Sequence, residues 1–124
     1  MPKKAVFIRI VEETNETSFH TTALIKKNLI TFSDPQGVWH QLTFEPARIQ
    51  LLKKGEMTLS MTFELFVRHR ATMGYLGKSL HLEIETQSMH QTPEGITLTY
   101  RLWDGEIELS QHTFELMFTE GAKL

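Results

Sequence analysis

Residues 80–86 read Leu80-His81-Leu82-Glu83-Ile84-Glu85-Thr86, with apolar and polar side chains in strict alternation. Two further alternating runs follow at 96–103 and 106–118, and the sequences Thr92-Pro93-Glu94-Gly95 and Asp104-Gly105 separate the three runs. A period of two residues is typical of a β-strand with one buried face, and glycine or proline in a short polar stretch is typical of a turn. The last third of the chain therefore predicts three strands in succession.

The same alternation extends through the preceding sequence and is clearest from Met57 to Leu65. We predict strands at 6–11, 18–26, 28–32, 38–44, 48–53 and 57–65. The segment 68–77 contains two glycines, and we interpret it as a glycine-punctuated segment in which Arg68-His69-Arg70 forms a solvated loop. No window of the sequence shows the 3.6-residue apolar period of an amphipathic helix.

The last predicted strand changes its apolar side along its length. Ile107 and Leu109 have one parity, whereas Phe114, Leu116 and Phe118 have the other. A one-residue insertion in a strand reverses the direction of every later side chain, so a β-bulge near 110–111 would place both groups on the same face. We interpret 13–16 as a polar turn and 121–124 as a frayed tail.

Nine or ten short strands with hairpin-length connections predict an all-β fold in a single domain, 1–124. Such a series is typical of an antiparallel sandwich or an up-and-down barrel. We favour an antiparallel barrel of eight to ten strands, because closure removes the long exposed edges that so many strands would otherwise leave.

Composition limits the classes of function. The chain of 124 residues is 40% hydrophobic and carries a net charge of −2, which predicts neither a nucleic-acid nor an anionic-membrane partner. It has no cysteine, which excludes disulfides, thiolate metal sites and a cysteine nucleophile. No apolar run approaches the roughly 20 residues of a membrane span, and the N-terminus lacks a signal-peptide core. We expect a cytoplasmic protein.

Several short segments carry a resemblance to a known family. They are Leu42-Thr43-Phe44-Glu45, Ile49-Gln50-Leu51, Lys54-Gly55-Glu56-Met57, Met61-Thr62-Phe63, Leu80 to Thr86 and Leu98-Thr99-Tyr100. In this order they resemble the central block of the YwiB-like family of bacterial proteins, and the resemblance covers residues 5 to 118. It implies a calycin-like (lipocalin-like) β-barrel that can enclose a small ligand. The family is a domain of unknown function, so the resemblance carries over no functional residue.

The leading functional hypothesis is a non-enzymatic barrel that binds a small, partly apolar ligand. Met61, Phe63, Tyr100 and Phe114 are the candidate interior residues, since aromatic and methionine side chains suit a deformable apolar pocket. Arg68 or Arg70 would lie near one opening, where a guanidinium can bind an anionic group. A barrel of this size is either filled by its side chains or just wide enough for one small ligand, and the sequence leaves both open.

A second hypothesis is a protein-interaction module with a filled interior, either a monomer or a homodimer formed through a barrel face or strand edge. An exposed patch that contains Phe7, Trp39 or Trp103 would favour it.

A third hypothesis is a hydrolase or isomerase. His81, Glu83 and Glu85 share one face of a strand, and a histidine with two carboxylates can bind a metal or transfer protons. The simpler interpretation, which we favour, is that these three residues form a solvent-exposed face opposite Leu82 and Ile84. The chain has no phosphate-binding glycine loop, nucleophile elbow or zinc-binding H-E-x-x-H, so we favour a binding protein and predict no cofactor.

Overall fold

The computed structural model describes residues 3–12 and 15–119. These residues form antiparallel strands and no helix, and thus no helix that is long and apolar enough to cross a membrane. The strands of the described chain are β1 (Lys3–Glu12), β2 (Asn15–Lys26), β3 (Leu29–Ser33), β4 (Trp39–Glu45), β5 (Arg48–Lys54), β6 (Thr58–Phe63), β7 (Arg68–Tyr75), β8 (Lys78–Thr92), β9 (Gly95–Asp104) and β10 (Ile107–Phe118).

The strands close into an up-and-down barrel, which confirms the predicted fold. Each strand pairs antiparallel with its neighbour in the sequence, and β1 pairs with β10 to close the ring. The closing pair aligns Ile8 with Leu116 and Ile10 with Phe114, so the seam buries apolar side chains from both ends of the chain. The ring is closed, although β2 pairs with β3 only at Leu24, Ile25 and Lys26, so residues 15–23 of β2 have a partner strand on the β1 side alone.

Alternate side chains of every strand point inward and form one hydrophobic core. The largest fully buried apolar residues are Val6, Ile8, Leu42, Phe63, Ile84, Leu98 and Leu116. Each such side chain contributes about 1.5–3 kcal/mol when it is transferred from water to the interior. The period-two pattern of the sequence therefore corresponds directly to the inner and outer faces of the barrel.

The segment 68–77 is not a loop but contains β7, so that interpretation was wrong. Residues 68–75 pair with β8 along their whole length. The inward positions of β7 are His69, Ala71 and Met73, of which only Ala71 is fully buried. Because a histidine and an alanine give little hydrophobic contrast, the alternation of this strand is hard to read from sequence.

The bulge predicted in the last strand is present, between Glu108 and Ser110, with Leu109 as the inserted residue. The register places Ile107 opposite Asp104 and Phe114 opposite Leu98, so the bulge brings Ile107 onto the face of Phe114 as expected, although Ile107 is 66% exposed and Leu109 is 49% exposed. A second bulge lies at Gln87, which lets β8 continue to Thr92. Of the predicted turn at 13–16, Asn15 and Glu16 belong to β2, and 13–14 and the predicted tail at 121–124 lie outside the described residues.

The barrel has two ends, and the candidate functional site lies at one of them. We call it the Lys53 end; it carries the connections 34–38, 55–57, 76–77 and 105–106, and β1 finishes there at Glu12. The opposite end carries the connections 27–28, 46–47, 64–67 and 93–94.

Candidate functional site

The four candidate interior residues, Met61, Phe63, Tyr100 and Phe114, are all buried inside the barrel. Their side chains belong to the continuous hydrophobic core, and the rings of Phe63 and Tyr100 lie 4.9 Å apart between centroids. The clefts described below are lined by other residues. These side chains thus fill the barrel beneath the Lys53 end.

Arg68 and Arg70 lie on the outer face of β7, because the inward positions of that strand are those of Ala71 and Met73. The Arg68 guanidinium sits 4.5 Å above the ring of Trp103 and donates a hydrogen bond of 3.2 Å to the Gly105 carbonyl. A cation held over an aromatic face is a surface contact of the barrel wall. We therefore leave both arginines out of the candidate site.

His81, Glu83 and Glu85 share one face of β8, and that face points outward. His81 Nδ1 lies 3.2 Å from Thr72 Oγ1, and Glu85 accepts a hydrogen bond of 3.3 Å from Trp103 Nε1. The hydrolase or isomerase hypothesis required these three side chains inside a cavity, so it loses its geometric basis. Within the described residues, no group of three histidine, aspartate or glutamate side chains is placed to hold a metal ion.

The interior is polar where it meets the Lys53 end. On β5 the alternation Ile49, Leu51, Lys53 directs all three side chains inward, and the first two are buried. Lys53 pairs across the sheet with His40 on β4 and with Leu59 on β6, and both neighbours also face the interior. A lysine thus occupies a position of β5 where the pattern would otherwise place a core residue.

The Lys53 ammonium is partly buried and has no ion pair within 4.0 Å among the described residues. Burial lowers its pKa, because an ammonium loses hydration in the interior, and the carboxylates of Glu12 and Asp34 act in the opposite direction. Burial has the larger effect, so the lysine loses its proton at a lower pH than an exposed lysine would.

His40 and Asp34 form a pair beside Lys53. His40 is only 2% exposed, its Nε2 lies 3.1 Å from Asp34 Oδ2, and its ring stacks on Phe32 at 4.6 Å. Burial lowers the pKa of His40, and Lys53 adds to this, while the hydrogen bond to Asp34 opposes it. The imidazole is therefore neutral over a wider pH range than an exposed histidine.

Asp34 is held by its own turn. Its Oδ1 accepts hydrogen bonds from the backbone amides of Gln36 at 2.9 Å and Val38 at 3.0 Å. Burial alone would raise the pKa of Asp34, but the hydrogen bonds from His40 and from these two amides outweigh it and keep the pKa below its usual value. The carboxylate is thus fixed in position and ionised.

A second histidine–carboxylate pair lies across the opening. His112 Nδ1 is 3.9 Å from Glu12 Oε1, and its Nε2 is 2.6 Å from Ser110 Oγ. The His112 ring stacks on Tyr100 with centroids 5.0 Å apart. Burial, together with the Glu12 carboxylate, raises the pKa of Tyr100, so its hydroxyl keeps its proton throughout the physiological range. We call Glu12, Asp34, His40, Lys53, Tyr100 and His112 the polar cluster.

The other half of the same opening is apolar. Leu59, Met73, Leu80 and Leu102, which we call the apolar arc, face inward but stay partly exposed. Leu80 is 54% exposed, although it shares its parity with the buried residues Leu82 and Ile84. An inward side chain that remains open to solvent marks the place where the barrel is unfilled.

Two clefts open at the Lys53 end. The more apolar one, of about 510 Å³, is lined by Met57, Met73, Tyr75, Leu76, Lys78, Ser79 and Leu80. The other, of about 280 Å³, combines the apolar residues Ile10 and Phe19 with the carboxylate residues Glu12 and Asp34. The two clefts share no lining residue and Lys53 lines neither of them, so the apolar surface and the carboxylates occupy separate clefts at the same end of the barrel.

Sequence reasoning missed this site except for Tyr100. The parity of Ile49, Leu51 and Lys53 was the available signal, since it places a lysine on the buried face. For His40, the position two residues before the buried Leu42 carried the same information. The hydrogen bond between His40 and Asp34 could not be predicted from the sequence, because it depends on the conformation of the turn at 34–38.

No protein-family model and no curated protein matches this sequence. Among solved structures, the chain is similar to the YwiB protein from Bacillus subtilis, with a TM-score of 0.63 and 14% sequence identity, over 94% of this chain and 93% of that one. This likeness confirms the resemblance seen in the sequence at the level of the fold. The chain therefore has a YwiB-like fold.

Proposed function

We propose that this protein is a non-catalytic binding barrel that holds a small, partly apolar ligand at the Lys53 end. The polar end of the ligand carries an oxygen that accepts a hydrogen bond from Lys53, and its apolar part lies on the apolar arc. The observation that carries this proposal is the inward-facing, partly buried lysine without an ion pair among the described residues.

The energetics support this arrangement. A buried charge without a partner lowers the stability of a fold, and an acceptor group supplied by a ligand would offset that cost. Binding of the same ligand would also cover the exposed apolar surface of Leu80 and of the cleft beside it. One ligand would thus satisfy both halves of the opening.

The test is a fluorescence titration with 8-anilinonaphthalene-1-sulfonate, which joins an apolar ring system to an anionic group. We expect wild-type protein to bind it, and Lys53→Met to bind it about tenfold more weakly or worse, since a hydrogen bond to a charged group contributes about 1.5–3 kcal/mol. Lys54→Met is the matched control, because Lys54 lies on the outer face of the barrel, where its ammonium is 5.7 Å from the centroid of the Trp39 ring. Equal affinity of all three proteins would refute the proposal.

Self-association is a second candidate function, but the three aromatic residues expected to form an exposed patch are partly covered by other side chains. Phe7, Trp39 and Trp103 are partly buried under His20, Lys54 and Arg68 respectively. The specific observation in its favour is Phe66, which is 89% exposed in a left-handed conformation at the end opposite to Lys53. Light scattering of wild-type protein and Phe66→Ser would decide it; a homodimer that the substitution dissociates would support it.

A further inference from the structure

We propose that Lys53 holds its ligand covalently, as a reversible imine with an aldehyde or ketone. This inference rests on the function proposed above and makes it more specific, because it identifies the polar end of the ligand as a carbonyl group, whose oxygen leaves as water when the imine forms. Three features of the Lys53 end carry it: the direction of the lysine, the groups around it and the shape of the opening.

The direction of Lys53 places a primary amine inside the barrel. Lys53 is the residue directly opposite His40 in the β4–β5 register, and both side chains are on the inner face. Side chains in such cross-strand pairs have Cβ atoms about 4.5–5.5 Å apart. The next residue, Lys54, points to the outside and lies 5.7 Å from the centroid of the Trp39 ring. The two neighbouring lysines thus have opposite environments.

Burial favours a neutral amine at Lys53. The carboxylates of Glu12 on β1 and Asp34 in the 34–38 connection favour the ammonium instead, and His40 on β4 is the titratable residue directly opposite. Asp34 is occupied by two backbone amides and by His40, and the Lys53 ammonium has no carboxylate within ion-pair distance in the described chain. Burial accordingly lowers the pKa of Lys53, and only the neutral amine has the lone pair that attacks a carbonyl.

The step is balanced without any oxidant or reductant. The Nζ lone pair attacks the carbonyl carbon, and the proton lost from nitrogen goes to the carbonyl oxygen to give a carbinolamine. The hydroxyl then leaves with a second nitrogen-bound proton as water, and the C=N bond forms. Hydrolysis reverses the step, so the ligand is held and released without net chemical change. The partly open apolar arc gives the substituent of the carbonyl a place to lie.

The experiment uses trans-cinnamaldehyde, which joins an aldehyde to an apolar ring, with sodium cyanoborohydride near neutral pH. The reductant transfers hydride to the imine carbon and makes the bond permanent. We expect the intact mass of the wild-type protein to rise by one aldehyde minus one oxygen atom, with the label on Lys53 in the peptide map. The N-terminal amine, whose ordinary pKa of about 7.7–8.0 also permits reaction, is counted separately in the same map.

Two variants complete the test. Lys53→Arg keeps the positive charge but cannot form an imine, so it should lose the interior label, whereas Lys54→Arg should be labelled as the wild type is. Circular dichroism shows whether each variant folds, and if Lys53→Arg does not, the peptide map of the wild type alone decides. Label distributed evenly over the lysines, or absent from Lys53, would overturn the proposal.

The two proposals fail separately. If 8-anilinonaphthalene-1-sulfonate binds in a Lys53-dependent way while cinnamaldehyde leaves Lys53 unlabelled, the imine is refuted and the binding function stands. If neither probe depends on Lys53, both proposals are refuted.

Discussion

At the scale of single residues, the polar cluster contains groups that lower the stability of the fold. His40 is a stacked, almost fully buried imidazole, and its Nδ1 has no hydrogen-bond partner within the described part of the chain. A buried polar atom without a partner costs about 1–3 kcal/mol. His40 lies next to the partly buried Lys53, at an end of the barrel where apolar side chains would stabilise the fold more. Such a choice of residues is expected of a binding site rather than of a scaffold position.

The buried histidine makes a prediction about pH. In the unfolded chain His40 titrates near 6.5, and in the folded chain its pKa is lower because burial and Lys53 disfavour the charged form more than Asp34 favours it. Below pH 6.5 the unfolded state therefore binds a proton that the folded state does not, and the free energy of unfolding falls as the pH drops from 6.5 toward the lower folded pKa. One such proton contributes a slope of up to about 1.4 kcal/mol per pH unit.

We expect urea denaturation of His40→Gln to show a shallower fall over this range than the wild type. His81→Gln is the control, because His81 lies on the outer face of β8, and it should keep the wild-type slope. A His40→Gln profile parallel to that of the wild type would contradict the assignment.

At the scale of elements, the sequence predicts a strand well where its inner face is strongly apolar. β6, β8 and β9 follow from simple alternation because Met61, Ile84 and Leu98 stand on their inner faces. β7 was missed because His69 and Ala71 give little contrast. The bulge in β10 was found from a change of parity, but Ile107 and Leu109 are not buried. Alternation reports where apolar residues are, and it does not report that each of them is buried.

The β7–β8 hairpin makes a prediction that joins stability to binding. Leu76 has a φ of 50° and is 80% exposed, and it lines the apolar cleft. The left-handed conformation costs an L-residue about 1–2 kcal/mol, and asparagine tolerates it better. We expect Leu76→Asn to raise the free energy of unfolding by about 0.5–1 kcal/mol and to weaken binding of 8-anilinonaphthalene-1-sulfonate.

The control for this hairpin is Lys27→Asn. Lys27 has a φ of 48° in a turn at the opposite end of the barrel. We expect it to stabilise the protein similarly without changing the affinity for the probe. If Leu76→Asn also left the affinity unchanged, the apolar cleft would not be part of the site.

At the scale of the whole molecule, the sequence predicted the closed barrel and most of its interior, because closure follows from the number of strands and their alternation. The candidate site was predicted less well. Only Tyr100 belongs both to the predicted residues and to the polar cluster, since the cluster combines residues of β1, the 34–38 connection and the β4–β5 pair with residues of the β9–β10 pair, and these parts come together only after closure. The barrel therefore divides into a filled interior around Phe63 and an open rim around Leu80 and Lys53.

This division predicts that stability and binding respond to different substitutions. Phe63 is fully buried against Tyr100, so Phe63→Ala should lower the free energy of unfolding by about 3–5 kcal/mol through the cavity that it leaves. Phe63→Leu, which keeps most of the volume, should fold and bind 8-anilinonaphthalene-1-sulfonate with unchanged affinity.

Leu80→Ala removes a half-exposed side chain, so it should lower the free energy of unfolding by less than about 1 kcal/mol but weaken binding of the probe several-fold. Urea denaturation and fluorescence titration measure the two effects on the same samples. If Phe63→Leu changed the affinity and Leu80→Ala did not, the ligand would lie deep in the barrel among Met61, Phe63, Tyr100 and Phe114, and the rim would be only the entrance.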